Sequence, residues 1–253
     1  MRVIIKNITL FLFILVLFSQ CEDSNDSLAP SDQQGQGGSL ARFTISNNYL
    51  YVVDIHRLIT FDLENPMEPK FVSDINLATD SETIFFMKGN LFIGTQTGLL
   101  IYKIGSDGTP EFLSKYEHVV SCDPVIAQDT LAYVTLRSEN FCQQGVNRLE
   151  VIDIRDLTAP QLVHQVEMIN PHGLGMVDSV LYVSEGESGL KIFDVNAADD
   201  IEELQFLPEI KSFDVIPLSH LLIVTGPDGI YQYDISDPVN MKLLSKISIE
   251  AVQ

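Results

Sequence analysis

The chain has 253 residues, 45% of them apolar, with 35 acidic against 15 basic side chains, a net charge of -20 and no tryptophan. That balance excludes nucleic acid as a partner, because binding phosphate depends on neutralisation by Lys and Arg. It speaks to solubility and says nothing about the fold.

In chain order, Arg2 and Lys6 form a short positive start, and Ile8 to Phe18 then runs eleven residues without a charge. That is the length of a signal-peptide core and well short of the roughly 20 residues a membrane-spanning helix needs. Residues 1–20 are therefore read as a leader. The following Phe18-Ser19-Gln20-Cys21 resembles the lipobox of bacterial lipoproteins, although Gln20 departs from the small residue usual before the cysteine. The resemblance implies that Cys21 is acylated and that the lipid bilayer is a partner, held stably by several acyl chains. Loss of residues 1–20 removes two of the 15 basic residues and no acid, leaving 13 against 35 and a net charge of -22. Residues 22–39 hold one Leu, one Ala and no aromatic, so residues 21–40 read as a lipidated end and flexible tether. Such a tether reaches about 20–25 Å. Glu22 and Asp23 resemble a surface-export signal, and the expected location is the cell envelope, at the outer membrane, facing the periplasm or the surface.

From residue 41 onward the sequence repeats. Apolar runs begin at Tyr51, Phe92, Tyr133, Tyr182 and Leu222, with spacings of 41, 41, 49 and 40 residues. A second landmark centres on Asp62, Lys103, Asp153, Asp194 and Asp234, and a third is Pro69, Pro110 and Pro160. Each unit carries four β-type runs separated by Asn, Gly, Asp and Pro, which is the content of one propeller blade. Five units of about 41 residues, with eight extra residues in unit three, fill positions 41 to 253. The expected fold is all-β, a five-bladed β-propeller in which neighbouring units bury one another's apolar faces.

The order of apolar run, turn, hydrophobic-Asp-hydrophobic and Asp/Asn-Pro resembles the LVIVD-repeat proteins. Tyr233-Asp234-Ile235-Ser236-Asp237-Pro238 is the fullest match, followed by Phe61-Asp62-Leu63-Glu64-Asn65-Pro66. The resemblance implies a propeller in an exported lipoprotein context and carries no established activity.

The repeated acids Asp62, Asp153, Asp194 and Asp234 read as turn residues, since Asp satisfies local backbone donors. Non-repeated residues are the better candidates for function. Strand alternation gathers the loops entering each first strand, and those joining strands two and three, on one face. The candidate ligand face comprises Asp80, Glu82, His118, Asp123, His172, Glu185, Glu187 and Asp228, joined by Asp54, His56, Asn170, Asp214 and the insertion starting at Arg137. Carboxylates there could hold Ca²⁺, but no loop has the spacing of a calcium loop, so no metal or other cofactor is assigned. Cys122 and Cys142, an even pair in an oxidising compartment, are expected to form a disulfide.

No nucleophile elbow and no glycine-rich phosphate loop is present. The expected function is a non-enzymatic, lipid-anchored scaffold that binds a protein or glycan. The competing reading is a glycoside hydrolase using Asp80 or Glu82, Asp123 and Asp214 as acid and base on the loop face.

Overall fold

The computed structural model describes residues 38–118, 124–138, 146–197 and 200–249, and these contain strands and turns but no helix. Phe43–Ser46 (β1), Tyr49–Asp62 (β2), Lys70–Met87 (β3), Asn90–Thr95 (β4), Gly98–Ile104 (β5) and Pro110–Glu117 (β6) form one sheet in chain order. Val125–Gln128 (β7), Leu131–Leu136 (β8), Arg148–Asp153 (β9) and Gln161–Glu167 (β10) form the second. Leu174–Val177 (β11), Val180–Ser184 (β12), Leu190–Ala197 (β13) and Asp200–Leu207 (β14) form the third. Asp214–Leu218 (β15), Leu221–Gly226 (β16), Gly229–Asp234 (β17) and Lys242–Ser248 (β18) form the fourth. All pairings are antiparallel between consecutive strands, so the chain is an all-β propeller whose blades are contiguous in sequence.

The number of blades corrects the sequence reading. Among the described residues there are four sheets, not five, because units one and two share the six-stranded first sheet. The link between those units, Leu77 to Glu82, contains neither Gly nor Pro, so β3 runs unbroken from one unit into the next. The other links carry Pro124, Pro171 and Pro208, and a residue without an N–H interrupts a ladder. β2 likewise runs through both middle strands of unit one, turning at Ile55, whose φ is +43°. Ser81 ties the units together by pairing with both Ile55 and Thr95. Its Oγ also donates to the Ile55 carbonyl at 2.8 Å.

The five-fold repeat persists inside this arrangement. One hydrogen bond closes the middle hairpin of every unit: Leu63 to Asn48, Ile104 to Gly89, Ile154 to Thr130, Val195 to Ser179 and Ile235 to His220, at 2.6 to 2.9 Å. Counted from the acceptor, the counterpart of Tyr182 is Ile223, which shifts the last sequence landmark by one residue. The turn before each hairpin is entered through a left-handed residue, at Asn47, Lys88, Asp129, Asp178 and Ser219. Asn and Asp tolerate that conformation best, and they supply three of the five.

Four apolar clusters hold the units together. Tyr51, Val53 and Leu58 pack on Leu91 and Ile93; Phe92 and Ile101 on Ala132 and Val134; Tyr133 and Val151 on Leu181 and Val183; Tyr182 and Ile192 on Leu222 and Val224. Each cluster joins one unit to the next. On the propeller axis, Phe85, Ile126, Leu174, Met176 and Ile216 leave a cavity of about 20 Å³, room for about one water.

The tether expected through residue 40 ends earlier than the sequence suggested. Ser39 is buried, and its Oγ accepts the Leu174 N–H at 2.7 Å, so the folded part includes Gly38 onward. The leader, Cys21, Cys122, Cys142 and Asp123 lie outside the described residues.

Candidate functional site

The described residue types on the loop face do not all converge. The structure brings His172, Glu185, Asn170, Asp214 and Arg137 together where β8, β11, β12 and β15 reach one end of the axis. His172 lies in the Pro171-His172-Gly173 link before β11. Its carbonyl accepts from Thr135 Oγ1 at 2.7 Å, and its N–H donates to the Ser184 carbonyl at 2.7 Å. The ring meets Phe213 edge-on at 5.2 Å. Arg137 Nη1 lies 2.6 Å from Nδ1 and 2.9 Å from Nε2 of that ring. Burial, and then the Arg137 charge, push the imidazole down to about 4, so it is neutral at physiological pH and accepts from the guanidinium. Gly186 backs the ring with a φ of +60°, and a Cβ there would come within 2.7 Å of Nε2. Only glycine fits that position.

Glu185 is wholly buried. Its carboxylate accepts the N–H of Ile169 at 3.1 Å and of Asn170 at 2.6 Å, with Lys191 Nζ at 3.8 Å. Burial raises its pKa against the pull of those donors. It holds the loop that carries His172.

Asp214 opens β15 and fills space that two glycines leave. A Cβ on Gly173 would sit 2.0 Å from Oδ1, and one on Gly38 would sit 2.3 Å from Oδ2. Ser39 Oγ donates to Oδ1 at 3.4 Å. Burial pushes the carboxyl up to about 6, opposed by the Val215 N–H and Ser39. A raised folded pKa favours the protonated form, so this group's contribution is complete below about 4 and is lost as pH rises through 6. His172 runs the other way: its contribution is present above about 6.5 and lost as pH falls toward 4. Asp214→Asn is therefore expected to match wild type near pH 4 and to exceed it by about 1–2 kcal/mol at pH 7.5, after allowance for partial exposure. Thermal melts across that range check it, and parallel curves for the two proteins would refute the raised carboxyl.

The remaining sequence candidates lie apart from this cluster. Asp80 is 3.0 Å from His56 Nδ1 at the joint of units one and two, and both are exposed. The Glu82 carbonyl accepts from Arg42 Nε at 3.3 Å. His118 lies at 6.2 Å from the Tyr116 ring and borders a groove of about 610 Å³ with Thr79, Thr97 and Lys115. Glu187 pairs with Lys211 at 2.6 Å, and Asp228 pairs with Lys246 at 2.6 Å and with the Tyr231 hydroxyl. Among the described residues no cluster of three His, Cys, Asp or Glu could hold a metal ion.

The repeated aspartates are turn residues, as expected. Asp62, Asp153, Asp194 and Asp234 each accept the backbone N–H two residues on, at 2.7 to 2.9 Å. The sequence reading missed a buried group between units two and three. Glu150 accepts the Tyr116 hydroxyl at 3.0 Å, and Arg148 Nη2 lies 2.5 Å from its Oε1. The signal was a lone acid inside the apolar run Leu149-Glu150-Val151-Ile152.

Antiparallel sheets of four or more strands, packed face to face about an axis, define a β-propeller repeat protein. The LVIVD repeat profile matches residues 37–76, which is unit one, and the later units repeat its hairpin bond. Residues 37–76 therefore match an LVIVD repeat, and they lie in an all-β propeller. No curated protein matches the chain. Solved structures share the fold at low identity. A protein of unknown function from Desulfotomaculum acetoxidans is 13% identical with a TM-score of 0.66, over 80% of this chain and 67% of its own. One from Lactobacillus plantarum is 13% identical with a TM-score of 0.64, over 80% and 69%. The periplasmic gluconolactonase of Pseudomonas aeruginosa is 11% identical with a TM-score of 0.64, over 85% and 73%. At these identities the likeness is one of fold.

Proposed function

We propose that this protein is a lipid-anchored scaffold of the cell envelope that binds a protein or glycan through the loop face of units three to five. The observation that carries this reading is how the acids of that face are used. Glu185 is spent on the Ile169 and Asn170 amides, and Asp214 is enclosed by Gly38, Gly173 and Ser39. Glycoside hydrolysis needs two carboxyls facing one cleft about 5–10 Å apart. Asp80, in contrast, is paired with His56 at the other end of the blade series. What the face offers instead is a polar surface around Arg137 and the neutral His172. A rigid scaffold presenting fixed loops suits recognition.

The test uses the full chain, solubilised from membranes, against immobilised envelope polysaccharides and, in parallel, chromogenic glycosides and lactones. Expected are saturable binding that Arg137→Ala weakens about tenfold and no turnover. Turnover that disappears with Asp80→Asn or Asp214→Asn would replace the scaffold reading by the hydrolase one. In the same cells, Cys21→Ser is expected to move the protein to the soluble fraction and abolish fatty-acid labelling; unchanged membrane retention would remove the anchor from the proposal.

A further inference from the structure

The five units share one hairpin plan, so the joints between neighbours can be compared position by position. One residue past the hairpin acceptor stand Tyr49, Asn90, Leu131, Val180 and Leu221; three past it stand Tyr51, Phe92, Tyr133, Tyr182 and Ile223. In the joint of units one and two both tyrosines are used. Tyr51 is buried, and its hydroxyl donates to the Gly108 carbonyl at 3.0 Å. The Tyr49 ring covers that spot, so closely that a Cβ on Gly108 would come within 2.4 Å of it.

The joint of units three and four keeps the buried tyrosine and lacks the cover, because the shorter Leu131 stands where Tyr49 does. A cleft of about 500 Å³ is left there, lined by Asp129, Leu131 and Tyr133 of unit three and by Met176, Asp178 and Asn196 of unit four. It opens at the turn end of the blades, away from the loop face that holds His172. Its volume is in the range of small-molecule sites. Tyr133 is 1% exposed and lines the cleft, and among the described residues its hydroxyl has no hydrogen-bond partner. A buried hydroxyl is normally bonded, so this one points to a partner outside the chain. Burial, and then the Asp129 charge, push the phenol up to about 12, which keeps the proton on its oxygen.

The lining is rich in acceptors and poor in donors. Gln128 Nε2 is spent on the Asp178 carbonyl at 2.8 Å, and Asn196 Nδ2 on the Asp194 carboxylate at 3.0 Å. What these side chains turn to the cleft is their amide oxygens, beside the carboxylates of Asp129 and Asp178. Asp129 pairs with Lys88 at 2.8 Å, while Asp178 has no basic partner among the described residues. No described Lys or Arg lines the cleft. Both aspartates have a left-handed backbone, which accounts for their place in the turns and not for the Tyr133 hydroxyl. Such a lining repels anions and offers a protonated amine several acceptors at once.

We propose that the cleft between units three and four binds a small organic cation carrying one or two primary ammonium groups. The ammonium donates to Asp178 and to the amide oxygens beside it, and the Tyr133 hydroxyl bonds a second polar group of the ligand. Leu131, Met176 and Val195 line the same cleft and take the carbon skeleton. The site shares no residue with the His172 corner, so it stands or falls apart from the scaffold reading.

The test titrates the full chain in detergent, its methionines labelled with ¹³C at the methyl group, with 1,4-diaminobutane at low ionic strength. Met176→Leu assigns the Met176 signal. The expected result is a saturable shift of that signal while those of the other methionines stay in place. Asp178→Asn keeps a residue suited to the left-handed turn and is expected to weaken binding about fivefold. Its melting curve is expected to match wild type, because Asp178 is exposed. Leu131→Tyr restores the cover of the first joint and is expected to abolish the shift. A Met176 signal that ignores the diamine, or moves equally with glucose, overturns the proposal. So does one that saturates only with calcium chloride, or binding of undiminished strength in Asp178→Asn.

Discussion

Replacing Glu150 by alanine is expected to destabilise the protein by about 3–5 kcal/mol, the range for removing one partner of a buried ion pair. The carboxylate is fully buried, and the Arg148 side chain beside it is 20% exposed. Without Glu150, Arg148 keeps its charge in an apolar joint, and the Tyr116 hydroxyl loses its acceptor. Burial, the larger cause of the raised Tyr116 phenol, persists in the variant, so tyrosinate does not take over as the counter-ion. For a domain of this size the loss corresponds to a fall in Tm of roughly 10 °C. The double variant Arg148→Met with Glu150→Met is expected to regain most of it, because an apolar pair of similar volume removes the desolvation cost along with the attraction. Urea denaturation of the three proteins decides. A loss below about 1 kcal/mol for Glu150→Ala alone would mean that the pair is solvated in solution.

That pair went unread in the sequence, whereas the apolar runs around it were legible. Repeats in register specify blades because each unit has an apolar forward and backward set, and these were visible as the runs at Tyr51, Phe92, Tyr133 and Tyr182. Sheet number was harder to read, because it depends on whether a link breaks a ladder. Leu77 to Glu82 has no residue that must break one, and only the fold shows that β3 continues through it. The closed count of five equal units also suggested a closed ring. Closure is decided by contacts between residues far apart in the sequence, on which local pattern is silent. Loop-face residues could be grouped by strand alternation, and His172, Glu185 and Asp214 did come together. Their roles were not legible, since what makes Glu185 structural is its contact with two backbone amides. Side-chain pattern carries no record of that.

Glu185→Ala is expected to cost about 2–4 kcal/mol and to loosen the candidate face locally. The change leaves the N–H groups of Ile169 and Asn170 without their acceptor, and a buried donor left unpaired costs about 1–3 kcal/mol. It also leaves Lys191, 9% exposed, with Glu203 at 3.1 Å as its acid partner. The loop from Met168 to Gly173 then loses its main internal tie, and with it the placement of His172 against Arg137. Glu185→Gln keeps one acceptor oxygen and is expected to lose less than half as much. Amide hydrogen exchange gives the decisive reading, because a purely global effect would speed exchange across all sheets equally. Faster exchange at Ile169 and Asn170 in the alanine variant, with β4 and β8 unchanged, is the expected pattern. If those two amides exchange in the variant as slowly as in wild type, Glu185 does not hold the loop. The neutral imidazole beside Arg137 would then need another support.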